Sequence, residues 1–267
     1  LAEVFRRAGL SHIIVLSGYN MTIVVETITR GLGFLALGLR GGVGIVGIVL
    51  FALMANSGAA TVRAALMASL AILARLTGRV YEVTFALMFS ALVMTLYNPR
   101  VVFELGFQLS FLATLGLLYL VPMLEPFFQW LPERFGLRLI VTATLAAQLA
   151  VTPLLLFTTA QLSLVALLAN VLVLPIIPLM MLLGFMTAIT GWIFSPLGAV
   201  VGFITSLGLG YILWVAKTLT AIPGAAVILS SFPAGLMWLM YAGLLWWWLR
   251  SRPKMGPPID KNPALGL

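Results

Sequence analysis

Cysteine is absent from this chain, and histidine occurs once, at His12. No disulfide can form, and no thiolate metal site. Zinc centres mostly draw three or four ligands from Cys, His and carboxylates, so no metal site is expected. Charge is almost as scarce: Asp, Glu, Lys and Arg make up 8% of the residues, and only seven residues are acidic. Those carboxylates are scattered along the chain, whereas two-metal nuclease chemistry needs ligands held a few ångströms apart. No cofactor is expected either, because the Gly41-Gly42-Val43-Gly44 run lacks the Lys-Ser/Thr of a phosphate-cradling loop. A serine nucleophile fares no better. His12 and Ser17 would point about 140° apart on a continuous helix, beyond the reach that proton transfer requires. The chain is therefore not expected to be an enzyme.

What is present is hydrophobic length. Apolar residues make up 62% of the chain and the mean hydropathy is +1.15, whereas soluble domains are about half apolar and a quarter charged. Lipid is the expected solvent, and there the backbone must satisfy its own hydrogen bonds. The apolar runs are long and unbroken rather than alternating, which points to helices and not to a barrel. The expected fold is an all-α, polytopic transmembrane helical bundle with about nine hydrophobic segments, some broken or re-entrant. They are Ile13–Thr29, a Gly-rich run from Gly31 to near Ala55, Thr61–Leu76, Val83–Tyr97, Leu105–Val121, Leu139–Phe157, Leu162–Ile189, Leu197–Ala216 and Ala234–Leu249. Residues 1–250 form the expected membrane domain and residues 251–267 a basic, proline-rich tail. The opening LAEVFRRAGL has no signal-peptide pattern, and the chain is expected to be a piece of a longer polypeptide with soluble flanking domains.

The formal charge of +8 has two readings, an anionic partner or the Lys/Arg excess of cytoplasmic loops. Arg30 and Arg40, Arg75 and Arg79, and Arg134 and Arg138 fall in loops on one side if the spans alternate. That side is expected to be cytoplasmic, although Arg6-Arg7 then breaks the rule. No internal repeat is visible, so neither a solenoid nor a duplicated transporter is suggested.

Polar groups within spans are costly and are the default functional candidates. His12, Ser17 and Asn20 lie in or beside the first segment, with a break expected at Ser17-Gly18. Arg63 opens the third segment. Glu104 and Gln108 open the fifth on one helical face, and Arg63 and Gln108 are expected to face a common interior cavity. Thr144, Gln148 and Thr152 recur every four residues and make a polar stripe, and a structural break is expected beside it at Pro153. Asn170 precedes Pro175 and Pro178, which should break the long Leu162–Ile189 segment at a point inside the protein and not against lipid. Ser, Thr, Asn and Gln in such places also simply bond neighbouring helices.

Four stretches in order carry a family resemblance. GLSHIIVLSGYNMTIV (Gly9–Val24), SGAATVRAALMASL, ELGFQLSFLATLGLL and QLAVTPLLLFTTAQLSLVALLANVLVLPIIPL resemble the motifs of the ComEC-type competence proteins. The resemblance covers roughly Gly9 to Leu183. It implies a multi-pass channel in the bacterial inner (plasma) membrane that takes up single-stranded DNA during natural transformation. Its partners would be the lipid bilayer, a separate motor ATPase, DNA-receptor proteins and further copies of the chain. The positions matching the motifs are His12, Ser17, Arg63, Gln108, Ser110 and Asn170. One departure is Asn20, where family members commonly carry His, and an amide there cannot titrate. The nucleic-acid-binding and metallo-β-lactamase-like domains of the family are not in this chain. A rival reading is a secondary transporter of a small anion built on the Pro175–Pro178 break, but Glu26, Glu82, Glu104 and Glu125 sit near span ends and do not supply a deep proton-coupling group.

Overall fold

The computed structural model describes residues 1–14, 36–54, 58–133, 136–228 and 232–251. Two short helices, α1 (Ala2–Arg7) and α2 (Ser11–Ile14), come first. Then follow α3 (Leu37–Met54), α4 (Ala59–Leu76), α5 (Val83–Tyr97), α6 (Leu105–Leu124) and α7 (Leu137–Thr159). A short strand β1 (Gln161–Ser163) precedes α8 (Ala166–Val173), α9 (Ile177–Ile193) and α10 (Ser195–Thr220). The order closes with β2 (Ala226–Ile228) and α11 (Ala234–Arg250).

Among the described residues, five stretches are long and apolar enough to cross a membrane: Ala59–Leu76, Leu105–Phe128, Leu137–Thr159, Ala166–Ile193 and Ser195–Thr220. Gly38–Met54 and Val83–Tyr97 are shorter apolar helices. Of the nine expected segments, the first lies outside the described residues beyond Ile14. Between a fifth and a third of each long span is buried within the protein. The outward faces carry residues such as Leu53, Met88, Phe203 and Trp238, all more than half exposed. Water would reject such a surface and hydrocarbon accepts it. The chain is therefore a membrane protein.

The chain divides into two compact units, Leu1–Leu112 with Gln161–Ile228, and Ala113–Ala160 with Leu229–Leu267. In the first, Phe5, Ala8 and Leu10 pack against Ala169, Val173 and Ile177 and against Val215, Ala216 and Leu219 of α10. Gly9 makes this possible: its φ is +73° and a side chain there would collide with Ala166, so only glycine combines the left-handed turn with the contact. Ile48 and Ala52 of α3 meet Ala64 and Ile72 of α4. Helices α9 and α10 approach closely where Gly191 meets Gly198, and the hydroxyls of Thr187 and Thr205 pair at 2.9 Å. In the second unit, Leu120 and Met123 of α6 pack on Ala146 and Ala150 of α7. The connection between those helices is tied by Arg138, which donates to Glu133 Oε1 at 2.7 Å and to the Gln129 carbonyl at 3.0 Å.

Three features differ from the sequence expectation or refine it. The segment expected as helix from Leu162 begins as a strand, β1, antiparallel to β2 with Leu162 opposite Val227. Ala160 adopts φ +52° and ends α7, and the Ser163 hydroxyl donates to the Arg7 carbonyl at 2.7 Å. The long segment does break at Pro175, through a 3-10 turn at Leu174–Ile176, and Pro178 then sits in the first turn of α9, where a missing N–H costs nothing. That break is not wholly interior, however. Pro175 is exposed and Pro178 half-buried, while Val173 and Ile177 beside them are buried. The apolar proline ring tolerates lipid, and the backbone carbonyl of Leu172 takes a long hydrogen bond from the Tyr211 hydroxyl at 3.4 Å. The kink donor comes from the protein, so the prolines themselves need not be enclosed.

Candidate functional site

Arg63 stands early in α4, with only 7% of its surface exposed. A buried guanidinium costs several kcal/mol unless its donors are met. Here Nε donates to Ser110 Oγ at 2.7 Å, and Nη1 to the Met67 sulfur at 3.4 Å, one turn along the same helix. The guanidinium carbon lies 5.9 Å from the centre of the Phe111 ring, within reach of a cation–π attraction. Phe111 is itself stacked on Phe107, one turn back, at 4.2 Å. Burial holds the Tyr81 phenol, in the turn before α5, above its ordinary range, with the Arg63 charge pulling the other way. Arg63 of the SGAATVRAALMASL stretch and Ser110 and Phe111 of the ELGFQLSFLATLGLL stretch therefore meet in space.

Gln108 does not join them. It is half-buried, and its amide donates at 3.0 Å to the carbonyl of Val102. That bond closes the junction between the 3-10 turn at Pro99–Phe103 and α6. The expected pairing of Arg63 with Gln108 thus gives way to Arg63 with Ser110. The reason is local: Val102 lies at the end of the 3-10 turn, where carbonyls lack partners within the turn, and its carbonyl takes the Gln108 amide from six residues away.

The polar stripe on α7 splits. Thr144 is buried, whereas Gln148 and Thr152 are half-buried and line a groove of about 390 Å³. The opposite wall is α11, with Met240, Gly243 and Leu244. Pro153 is fully buried, and α7 runs on through it where a break was expected. It cannot donate to the preceding turn, and the Tyr241 hydroxyl of α11 donates to the nearby Ala150 carbonyl at 3.2 Å. Asn170 is 5% exposed, and its Oδ1 has no hydrogen-bond partner among the described residues. His12 is exposed on α2. Ser17, Gly18 and Asn20 lie outside the described residues. Sequence reasoning missed Phe111, Tyr81, Tyr241 and Gly243. An aromatic pair spaced one turn apart, as at Phe107 and Phe111, was the available signal for the first; the others sit in runs whose local pattern gives none. Among the described residues no group of three or more His, Cys, Asp or Glu is placed to hold a metal ion.

A family model described as "Competence protein" matches residues 1–254. The chain is 28% identical over 248 residues to "ComE operon protein 3" of Bacillus subtilis (strain 168), covering 89% of this chain and 30% of that protein. It thus spans less than a third of the length of that curated relative. No solved structure matches the chain.

Proposed function

The chain belongs to the competence protein family, and from that premise we propose that it forms the inner-membrane passage through which single-stranded DNA enters during natural transformation. The match over residues 1–254 carries this reading. The chemistry of the helices supports it. A strand of phosphates cannot cross hydrocarbon and needs a polar path. Many cationic contacts along that path would trap the strand, because phosphate contacts add up to tight binding. A lining rich in amides and hydroxyls and poor in charge conducts better, and Gln148 and Thr152 on a half-open groove are groups of that kind. Arg63 braces α4 against the start of α6 through Ser110. The chain passes the strand without cutting it. The driving force comes from a separate motor ATPase or from the membrane potential, and separate receptor proteins deliver the DNA.

Reconstitution of the intact polypeptide into liposomes tests the reading. With a potential applied, a labelled single strand is expected to reach the lumen and a duplex of the same length is not. Saturable, proton-coupled movement of a small anion with no passage of DNA would replace this reading with that of a secondary transporter.

A further inference from the structure

Gln148 stands at the middle of the 23-residue α7, the depth at which a bilayer offers no hydrogen-bond partner. Its side chain takes part in none of the hydrogen bonds among the described residues and opens into the groove between α7 and α11. Thr152, one turn on, lines the same groove. An amide left facing hydrocarbon is strongly disfavoured, so the groove calls for a polar guest. Its other walls are apolar, from Leu145, Met240 and Leu244, and among the described residues no cationic side chain lines it. Gly243 leaves the far wall open, since an added Cβ there would meet nothing within 4 Å.

Apolar walls with a donor–acceptor edge at one side are the complement of a nucleobase, which has flat apolar faces and a polar rim. A carboxamide bonds a base edge through two parallel hydrogen bonds. By turning half-way about its last bond it exchanges donor and acceptor, so it can serve more than one base. That suits a path that does not choose sequence. A phosphate would find no countercharge here, and a lipid tail would leave the amide unmet. Resting on the passage reading above, we propose that this groove receives one nucleobase of the strand in transit, with Gln148 and Thr152 holding its edge and the leucines and Met240 its faces.

The test is equilibrium binding to the intact polypeptide in lipid nanodiscs. The probes are fluorescent oligothymidylate and an abasic deoxyribose-phosphate strand of the same length. Wild type is expected to hold the base-bearing strand about tenfold more tightly. Gly243→Leu fills the groove and Gln148→Leu removes its polar edge, and each is expected to abolish that preference. Gly235→Leu adds the same side chain to α11 in open space away from the groove, and is expected to keep it. If both strands bind wild type equally, or if the preference survives in Gly243→Leu and Gln148→Leu, the groove proposal is overturned while the passage reading stands. If wild type binds neither strand, the passage reading falls and the groove with it. Disulfide cross-linking of Gly243→Cys between copies, undiminished by oligothymidylate, would make the groove a helix interface and also overturn the proposal.

Discussion

Ser110→Ala deletes the oxygen that accepts the Arg63 Nε–H at 2.7 Å. Arg63 is 7% exposed, so water does not take the place of the lost acceptor. Neutral hydrogen bonds between spanning helices average only about 0.6 kcal/mol. A bond to a buried charge is stronger, and orphaning its donor costs about 1–3 kcal/mol. The second figure governs here, because the donor is cationic and the bond short. Ser110→Ala is thus expected to lower stability by about 2 kcal/mol. Arg63→Met removes the charge and keeps a linear apolar stem, so the desolvation cost disappears together with the bond. In the Arg63→Met background Ser110→Ala should then cost little, giving a coupling of about 1–2 kcal/mol. Reversible unfolding in mixed micelles, followed by tryptophan fluorescence, measures all four proteins of the cycle. Effects that add to within about 0.3 kcal/mol would refute the view that these two side chains join α4 to α6. Transformation frequency adds a second reading. A stable Arg63→Met protein with lowered uptake assigns the charge a part in passage, and unchanged uptake confines Arg63 to architecture.

Two further outcomes follow from packing and from charge. A Cβ on Gly116 would lie 2.6 Å from Ala150 Cβ and 2.7 Å from the Ala146 carbonyl oxygen, whereas one on Gly210 would meet nothing within 4 Å. Gly116→Ala is therefore expected to destabilise by about 1–3 kcal/mol and Gly210→Ala to stabilise by up to about 1 kcal/mol, read as opposite shifts of the thermal midpoint in detergent; a Gly116→Ala protein as stable as wild type would contradict the α6–α7 packing. Binding of single-stranded oligonucleotide to the purified protein should fade as salt rises, because phosphate contacts release counterions, and should leave the strand uncut. Metal-dependent cleavage by this chain alone would overturn the proposal that it passes the strand without cutting it.

Helix α5 shows how much was legible in the sequence and why. Val83–Tyr97 is both the expected and the observed span. Pro99 disfavours helix in the residue before it, and Asn98 accepts the Arg100 N–H at 3.1 Å, so the stop is written locally. The break at Pro175 was legible for the same reason. Strand β1 was not: it depends on β2, far away in the chain, and nothing within Gln161–Ser163 announces that pairing. The site divides in the same way. Arg63 stood out as a polar residue in an apolar run and Ser110 through the family resemblance, but their bond joins positions 47 residues apart, and a single sequence carries no trace of such a contact. Gln108 looked equally eligible, and lost to a carbonyl six residues away.

Polar groups in a lipid-solvated bundle sort by whether the fold answers them. Ser90 is fully buried and donates to the Leu87 carbonyl at 2.8 Å. Thr187 and Thr205 answer each other, and Arg63 is answered by Ser110 and Met67. Such groups hold helices in place, and replacing them should read out first as stability. Gln148 is different, since it lines a groove at mid-span and takes part in no hydrogen bond among the described residues. On the groove proposal, a base held at its edge offsets the cost of burying that amide. A residue of that kind lowers stability for the sake of what enters. Gln148→Leu should therefore leave the protein as stable as wild type or more so, while lowering passage of a base-bearing strand. If it instead destabilised the protein by as much as Ser110→Ala does, Gln148 would belong with the groups that hold the helices, and the groove would have no claim on the strand.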